Sequence, residues 1–215
     1  MIKAVLFDLD GTLINTNDLI IDSFKHTFKK HLNIDVHESE IVMHFGEPLL
    51  DTLAEYDKEN AHILMQTYRE YNEEIHDELA KEIVGAKETL SELKTLGIKV
   101  GVVTSKRREL AERGLKLFNL LDIMDVVITP EDTTKHKPEA EPVLKACDIL
   151  AVKPEETIMV GDSHFDILCG KNAGAKACLV KYTALPIDMI MLHTPEYLVD
   201  EIKDILKIVR KENFE

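Results

Sequence analysis

The stretch MIKAVLFDLDGTLI, residues 1–14, contains the pattern that decides the fold. Its apolar run Ala4–Phe7 ends directly at two acidic residues, Asp8 and Asp10. Four apolar residues in a row are too few for a helix, and the lack of polar alternation indicates a strand that is buried on both faces. The stretch therefore predicts a central parallel strand with carboxylates at its carboxyl end.

Four further runs of this kind follow along the chain, at residues 100–103, 126–128, 158–160 and, more weakly, 177–180. Amphipathic stretches with helical spacing separate them, near residues 86–93, 110–118 and 143–150. Alternation of strand and helix predicts an α/β fold with a doubly wound, mostly parallel sheet. Ligands bind to such sheets at the carboxyl ends of the strands.

Residues 15–80 interrupt this alternation. Apolar residues recur at helical spacing around 20–31 and 63–79, and no strand-like run lies between them. We predict an all-helical insertion at 15–80, with the α/β core formed by residues 1–14 and 81–215.

The composition limits the classes of partner. The chain has 26 Lys and Arg against 40 Asp and Glu, a net charge of −14. A field of this sign repels nucleic acids and anionic membranes, so we expect neither as a partner. No run reaches the roughly 18 apolar residues of a membrane span, and the first residues lack a signal-peptide pattern. With three cysteines and no CxxC motif, we expect a cytoplasmic protein with reduced thiols. The oligomeric state is left open, with a monomer as one option.

Polar residues follow each predicted strand, and parallel strands bring them to one edge of the sheet. They are Asp8, Asp10, Thr104, Ser105, Lys106, Lys137, Asp162 and Asp166. Four carboxylates at one edge repel one another unless a cation joins them. Oxygen ligands without neighbouring Cys or His favour a hard ion, with Mg²⁺ the default. The metal and a lysine would together attract a small anionic phosphate substrate, which the acidic chain as a whole repels.

These groups suit phosphoryl transfer. One carboxylate can attack the phosphorus atom, and a second can protonate the leaving group and then activate water. Asp8 and Asp10 are two residues apart on an extended segment and so share a face. Gly11 allows its turn to approach the ligand closely, and Thr104 can donate to phosphate oxygens.

Four segments in this order, DLDGTL at 8–13, VVTS at 102–105, KP at 137–138 and GDSHFD at 161–166, resemble the motifs of the haloacid dehalogenase-like (HAD) hydrolases. The resemblance covers essentially the whole chain. It implies a Rossmann-like core with a small helical cap, which is the predicted insertion. Ala140 stands where the family usually has a second proline, a difference that concerns loop stiffness more than chemistry.

The resemblance implies a role for each motif residue. Asp8 is the expected nucleophile and Asp10 the general acid and base. Thr104 is expected to bind the transferring phosphoryl group, and Lys137 to neutralise both Asp8 and that group. The expected Mg²⁺ ligands are Asp8, the carbonyl of Asp10, and Asp162. Asp166 is expected to orient the metal site or the lysine.

Finer resemblance, at residues 13–24, 68–79, 104–117 and 170–176, points to bacterial inorganic pyrophosphatases that are similar to phosphoglycolate phosphatases. It implies pyrophosphate as the first candidate substrate and phosphoglycolate as the second. A phosphosugar mutase of the same superfamily and a phosphorylatable receiver-type signalling domain remain as alternatives.

Several of these residues also have a purely structural interpretation. Asp166 can simply cap a helix, and Thr104 can cap a strand end. Gly11, Ser105 and Lys106 are candidate phosphate contacts, and Arg107 is an alternative to Lys106. His164, as a lone histidine, is interpreted as a residue at the rim of the site. The interruption GEP at 46–48 is either a bend or a loop that faces substrate.

Overall fold

The computed structural model describes residues 1–214. The chain folds into two compact units: residues 1–15 and 82 onward form one, and residues 16–81 form the other. The predicted boundaries, 15 and 80, lie one residue from these, and the role of the smaller unit as a cap stays a prediction. No helix within residues 1–214 is both long and apolar enough to cross a bilayer.

Strands and helices alternate along the larger unit. In residues 1–214 the strands are β1 Ala4–Phe7, β2 Ile14–Asn15, β3 Lys81–Glu82, β4 Lys99–Val103, β5 Val126–Ile128, β6 Thr157–Gly161, β7 Lys176–Val180 and β8 Tyr197–Val199. The helices are α1 Asn17–Leu32, α2 Glu38–Val42, α3 Leu49–Tyr56, α4 Ala61–Leu79, α5 Ala86–Thr95, α6 Arg108–Leu117, α7 Glu141–Leu150, α8 His164–Asn172, α9 Ile187–Met191 and α10 Ile205–Phe214. Short 3₁₀ turns lie at Leu121–Ile123, Pro130–Asp132, Pro154–Glu156 and Ile202–Asp204.

A six-stranded sheet in the order β5-β4-β1-β6-β7-β8 forms the centre of the larger unit, and the paired strands are parallel. All four residues of β1 are completely buried, because strands flank it on both sides and apolar side chains cover both faces. This arrangement confirms the predicted α/β fold. The five predicted apolar runs correspond to β1, β4, β5, β6 and β7.

The sequence prediction missed β8, the strand at one edge of the sheet. Leu198 in its centre is exposed, whereas Val199 is buried. The run Tyr197–Val199 of β8 is only three residues long and begins with a tyrosine, which makes its strand signal weak. The short strands β2 and β3, which pair with each other, are too brief to give a sequence signal.

The smaller unit consists of α1 to α4, and its aromatic residues pack as the helical spacing predicts. Phe24 contacts Phe28 and Tyr68, with ring centroids 5.6 and 4.8 Å apart. At the interruption 46–48, Gly46 adopts a φ of 87°, and Glu47 accepts hydrogen bonds from the side chains around it. The segment is therefore a bend between two helices. Its predicted alternative role, facing substrate, stays a prediction.

Candidate active site

The carboxyl end of the sheet brings the first and fourth motifs together. Phe7 of β1 lies opposite Val160 of β6 in a parallel register, and the backbone N–H of Asp8 donates to the Val160 carbonyl at 2.8 Å. Asp162 directly follows β6. Both carboxylates therefore leave the sheet at nearly the same level and are buried there.

Lys137 joins two of the carboxylates. Its Nζ donates to Asp8 Oδ1 at 2.8 Å and to Asp166 Oδ1 at 2.7 Å, and all three side chains are nearly inaccessible to solvent. Burial alone would lower the pKa of Lys137, but the two adjacent carboxylates outweigh it and raise that pKa above its usual value. The lysine is therefore a fixed positive charge at the centre of the cluster.

Asp166 fills both roles that the sequence left open. Its Oδ1 accepts from Lys137, while its Oδ2 accepts from the backbone N–H of Ser163 at 3.1 Å and from the Ser163 hydroxyl at 2.6 Å. The second set is a capping box at the start of α8. A Cβ at Gly161 would lie 2.2 Å from the Asp166 Cβ, so a glycine is required for this approach. One buried carboxylate thus starts a helix and orients the lysine.

Asp162 packs against the turn that follows β1. Gly11, with a φ of 75°, lies so close that a Cβ on it would come within 2.3 Å of Asp162 Oδ2. Burial, followed by the charges of Asp166 and Asp8, raises the pKa of Asp162 well above its ordinary value. Carboxylate oxygens of Asp8, Asp162 and Asp166 lie within 4.8 Å of one another.

The excess negative charge in this cluster fits a divalent cation. Asp166 is already engaged by Lys137 and Ser163, so Asp8 and Asp162 are the carboxylates with capacity to hold an ion. Burial and the charge of Asp166, opposed by Lys137, raise the pKa of Asp8 to about 7. The electrostatic cost of such a cluster falls when it takes up a proton or binds a cation. Its all-oxygen donors suit a hard ion.

The second motif supplies a hydroxyl and a lysine. Thr104 is buried, and its Oγ1 accepts from the backbone N–H of Lys106 at 3.0 Å, which leaves the hydroxyl hydrogen able to donate elsewhere. The Lys106 Nζ donates to Asp10 Oδ1 at 2.9 Å. The side chain of Asp10 therefore belongs to a pair beside the main cluster. Its carbonyl as a metal ligand stays a prediction.

Other sequence candidates lie outside these contacts. Ser105 is exposed, and Arg107 precedes α6 as its N-cap residue. The ring of His164 packs against those of Phe165 and His193, with centroids 4.1 and 5.5 Å apart. For Ser105 and Arg107, contact with phosphate stays a prediction, and so does the position of His164 at the rim of the site.

Sequence reasoning missed Ser163 as a supporting residue. Its backbone and hydroxyl hold Asp166, and Asp166 in turn holds Lys137. The signal was present, since serine followed three residues later by an acidic residue is the pattern of a capping box.

Comparison with known proteins gives relatives along the whole chain. A protein of Clostridium perfringens named "Putative pyrophosphatase PpaX" is 54% identical over 213 residues, which cover 99% of this chain and 100% of the relative. A Bacillus mycoides protein named "Pyrophosphatase PpaX" is 43% identical over 212 residues, 99% of both chains. Among solved structures, that of "a predicted phosphatase from Clostridium acetobutylicum" superposes with a TM-score of 0.88 at 26% identity, covering 98% of this chain and 99% of that one.

The family model of the haloacid dehalogenase-like hydrolases matches residues 5–180. That range contains all four motifs and the cluster formed by Asp8, Lys137, Asp162 and Asp166. The match confirms the resemblance found in the sequence and is inconsistent with the alternative of a receiver-type signalling domain. The chain belongs to the haloacid dehalogenase-like hydrolases.

Proposed function

We propose that the protein is a Mg²⁺-dependent phosphohydrolase that transfers a phosphoryl group from a small substrate, first of all inorganic pyrophosphate, to Asp8 and then to water. One observation carries the proposal. The buried Lys137 bridges Asp8 and Asp166 while Asp162 faces the same carboxylate cluster. A purely structural ion pair does not need a third buried carboxylate, which adds a negative charge that one lysine does not balance.

The first half of the reaction forms a bond to the protein. A carboxylate oxygen of Asp8 attacks the phosphorus atom, the bond between phosphorus and the leaving oxygen breaks, and Asp10 gives its proton to that oxygen. Lys137 supplies positive charge where the phosphoryl oxygens and the nucleophile meet. The Thr104 hydroxyl donates to one of those oxygens.

The second half of the reaction restores Asp8. Water attacks the phosphorus of the aspartyl-phosphate, Asp10 takes the proton of that water, and the bond to Asp8 breaks with release of phosphate. The ammonium of Lys106 lies 2.9 Å from Asp10 Oδ1. An anionic substrate competes with Asp10 for the same ammonium.

Asp8 and Asp162, together with the Asp10 carbonyl, are the groups that would hold Mg²⁺. When bound, it neutralises phosphate charge and the negative charge left over by the buried carboxylates. Asp166 remains engaged with Lys137 and Ser163 throughout.

Pyrophosphate as substrate is supported by the names of the relatives, several of which are called pyrophosphatase PpaX at 42–54% identity over nearly the whole chain. A leaving phosphate is also strongly anionic, and the site offers two lysines rather than one. Phosphoglycolate remains the second candidate substrate, because it too carries a charged group beside the phosphate.

A phosphate-release assay tests the proposal. Pyrophosphate, phosphoglycolate, a hexose phosphate and an aryl phosphate are compared in Mg²⁺ and in EDTA. We expect pyrophosphate to have the highest kcat/KM and EDTA to abolish turnover. Preference for phosphoglycolate would transfer the assignment to the second candidate, and a phosphosugar that returns isomerised without stoichiometric phosphate would support a mutase.

The nucleophile is tested by Asp8→Asn. We expect turnover to fall about 10³-fold or more, with the fold retained, because the amide is isosteric but a poor nucleophile. The matched control is Asp200→Asn, since Asp200 is an exposed aspartate paired with Lys181, and it should leave turnover unchanged. Activity above a few per cent in Asp8→Asn would exclude the assignment of Asp8.

A further inference from the structure

Tyr182 lies in the loop directly after β7, at the carboxyl edge of the sheet. Its hydroxyl donates a hydrogen bond of 2.9 Å to the backbone carbonyl of Thr12, 170 residues earlier in the chain. Neither the motifs nor the mechanism above uses this residue.

The turn that receives this bond carries the first motif. Its backbone hydrogen bonds, from Gly11 to Ile14 and from Leu13 to Leu9, run within the turn and fix its shape. They do not fix where the turn lies relative to neighbouring loops. The Thr12 side chain is fully buried, and its Oγ1 has no hydrogen-bond partner among residues 1–214. The bond from Tyr182 therefore ties the turn to another strand end.

The opposite side of the same turn contacts Asp162. Gly11 approaches the Asp162 carboxylate so closely that even a methyl group would collide with it. Tyr182 is itself close enough to Asp162 that burial and then that carboxylate's charge raise the pKa of the phenol. The hydroxyl consequently remains a donor over the working range of pH.

We propose that Tyr182 is a positioning residue that holds the turn at 11–12 against Asp162 and thereby sets the spacing between the first-motif ligands and the Asp162 carboxylate. The effect passes through the Thr12 carbonyl, so Tyr182 itself touches neither substrate nor ion. This inference rests on the proposed function, since it requires a cation site between Asp8 and Asp162.

The experiment measures Mg²⁺ binding to EDTA-dialysed protein by isothermal titration calorimetry, without substrate. Tyr182→Phe removes the donor and retains the ring. The control is Tyr197→Phe, which likewise removes a tyrosine hydroxyl that donates a hydrogen bond, in this case to the Glu212 side chain. Tyr197 begins β8 and accepts from Lys176 at the amino end of β7, so it lies at the opposite edge of the sheet from the site.

We expect Tyr182→Phe to raise the Mg²⁺ dissociation constant about fivefold, the factor that corresponds to one net hydrogen bond. The Mg²⁺ concentration for half-maximal phosphate release should rise by the same factor. Tyr197→Phe should bind Mg²⁺ as the wild type does, while both metal-free variants show similarly small falls in the urea midpoint.

Equal Mg²⁺ affinity in the wild type and Tyr182→Phe would overturn the role of Tyr182 and leave the proposed function standing. Failure of Tyr182→Phe to fold would overturn it too, because the contact would then be structural. A wild-type protein that binds no Mg²⁺ would overturn the proposed cation site and this inference together.

Discussion

Replacing Lys137 with methionine should destabilise the protein strongly, because the buried carboxylates then lose their cation. Lys137, Asp8 and Asp166 are almost fully enclosed, with side-chain exposures of 5, 11 and 0%. Removing one partner of a buried ion pair costs about 3–5 kcal/mol of unfolding free energy. For a chain of this length that corresponds to a fall in Tm of about 6–20 °C. Thermal unfolding in EDTA, followed by circular dichroism, measures the loss.

The loss should also depend on pH with a definite sign. Burial raises the pKa of Asp8 to about 7 although Lys137 opposes the shift, so without the lysine that pKa moves higher still. A carboxyl group whose pKa is higher in the folded than in the unfolded protein costs stability when it is ionised. The cost is greatest above the folded pKa and disappears as the pH falls toward the unfolded value. The difference between wild type and Lys137→Met should therefore shrink from pH 8 to pH 5.

The matched control is Lys176→Met, which removes a lysine paired with Glu212 at the surface. About a third of the Lys176 side chain is exposed, and pairs of this kind contribute about 1 kcal/mol or less. The reasoning would be refuted if Lys137→Met lost no more stability than Lys176→Met, or if its deficit grew as the pH fell.

Two further predictions concern the turn and the ion. Gly11→Ala and Gly97→Ala both place a side chain at a φ of about 75°, which costs about 1 kcal/mol, but a Cβ at Gly97 meets nothing within 4 Å. We expect Gly97→Ala to release phosphate within twofold of the wild-type rate and Gly11→Ala to lose more than nine-tenths of that rate. Equal activities of the two variants would contradict the contact with Asp162. Mg²⁺ at 100 times its dissociation constant should stabilise the wild type by about 2.7 kcal/mol, measured as a rise in Tm over EDTA. Asp162→Asn should abolish most of that rise, and an undiminished rise would remove Asp162 from the ion site.

The strands that were predicted from the sequence are the largely buried ones. β1 and β6 are completely buried along their length, so both faces required apolar residues and the signal was continuous. β8 was missed because its three residues begin with a tyrosine and give a weak signal, and its central Leu198 is exposed at the edge of the sheet. The predictability of a strand thus followed its burial.

The sequence predicted which residues form the site better than it predicted which of them contact one another. Parallel strands necessarily bring their carboxyl ends to one edge, so the proximity of Asp8 and Asp162 follows from the fold. The two partners of Lys137 do not follow from the strand order, because the lysine lies beyond β5 in an irregular segment whose path no periodicity describes. The family resemblance alone pointed to them. The pairing of Lys106 with Asp10 depends on a flexible side chain two residues before α6, and sequence spacing does not determine such a contact.

The charge of the protein has one effect at long range and a different effect within the site. At long range, the net charge of −14 opposes the approach of any phosphate compound. Within the site, four carboxylates and two lysines leave two negative charges once all four acids are ionised, the amount that one divalent cation cancels. Because Lys137 is held by two carboxylates and Lys106 by one, neither lysine is available to phosphate until that balance changes. A cation at Asp8 and Asp162 would change it for Lys137, since the cation would compete with that lysine for the Asp8 carboxylate. The acid excess would then make phosphate binding conditional on the metal, and so would favour metal-complexed phosphate over the free anion.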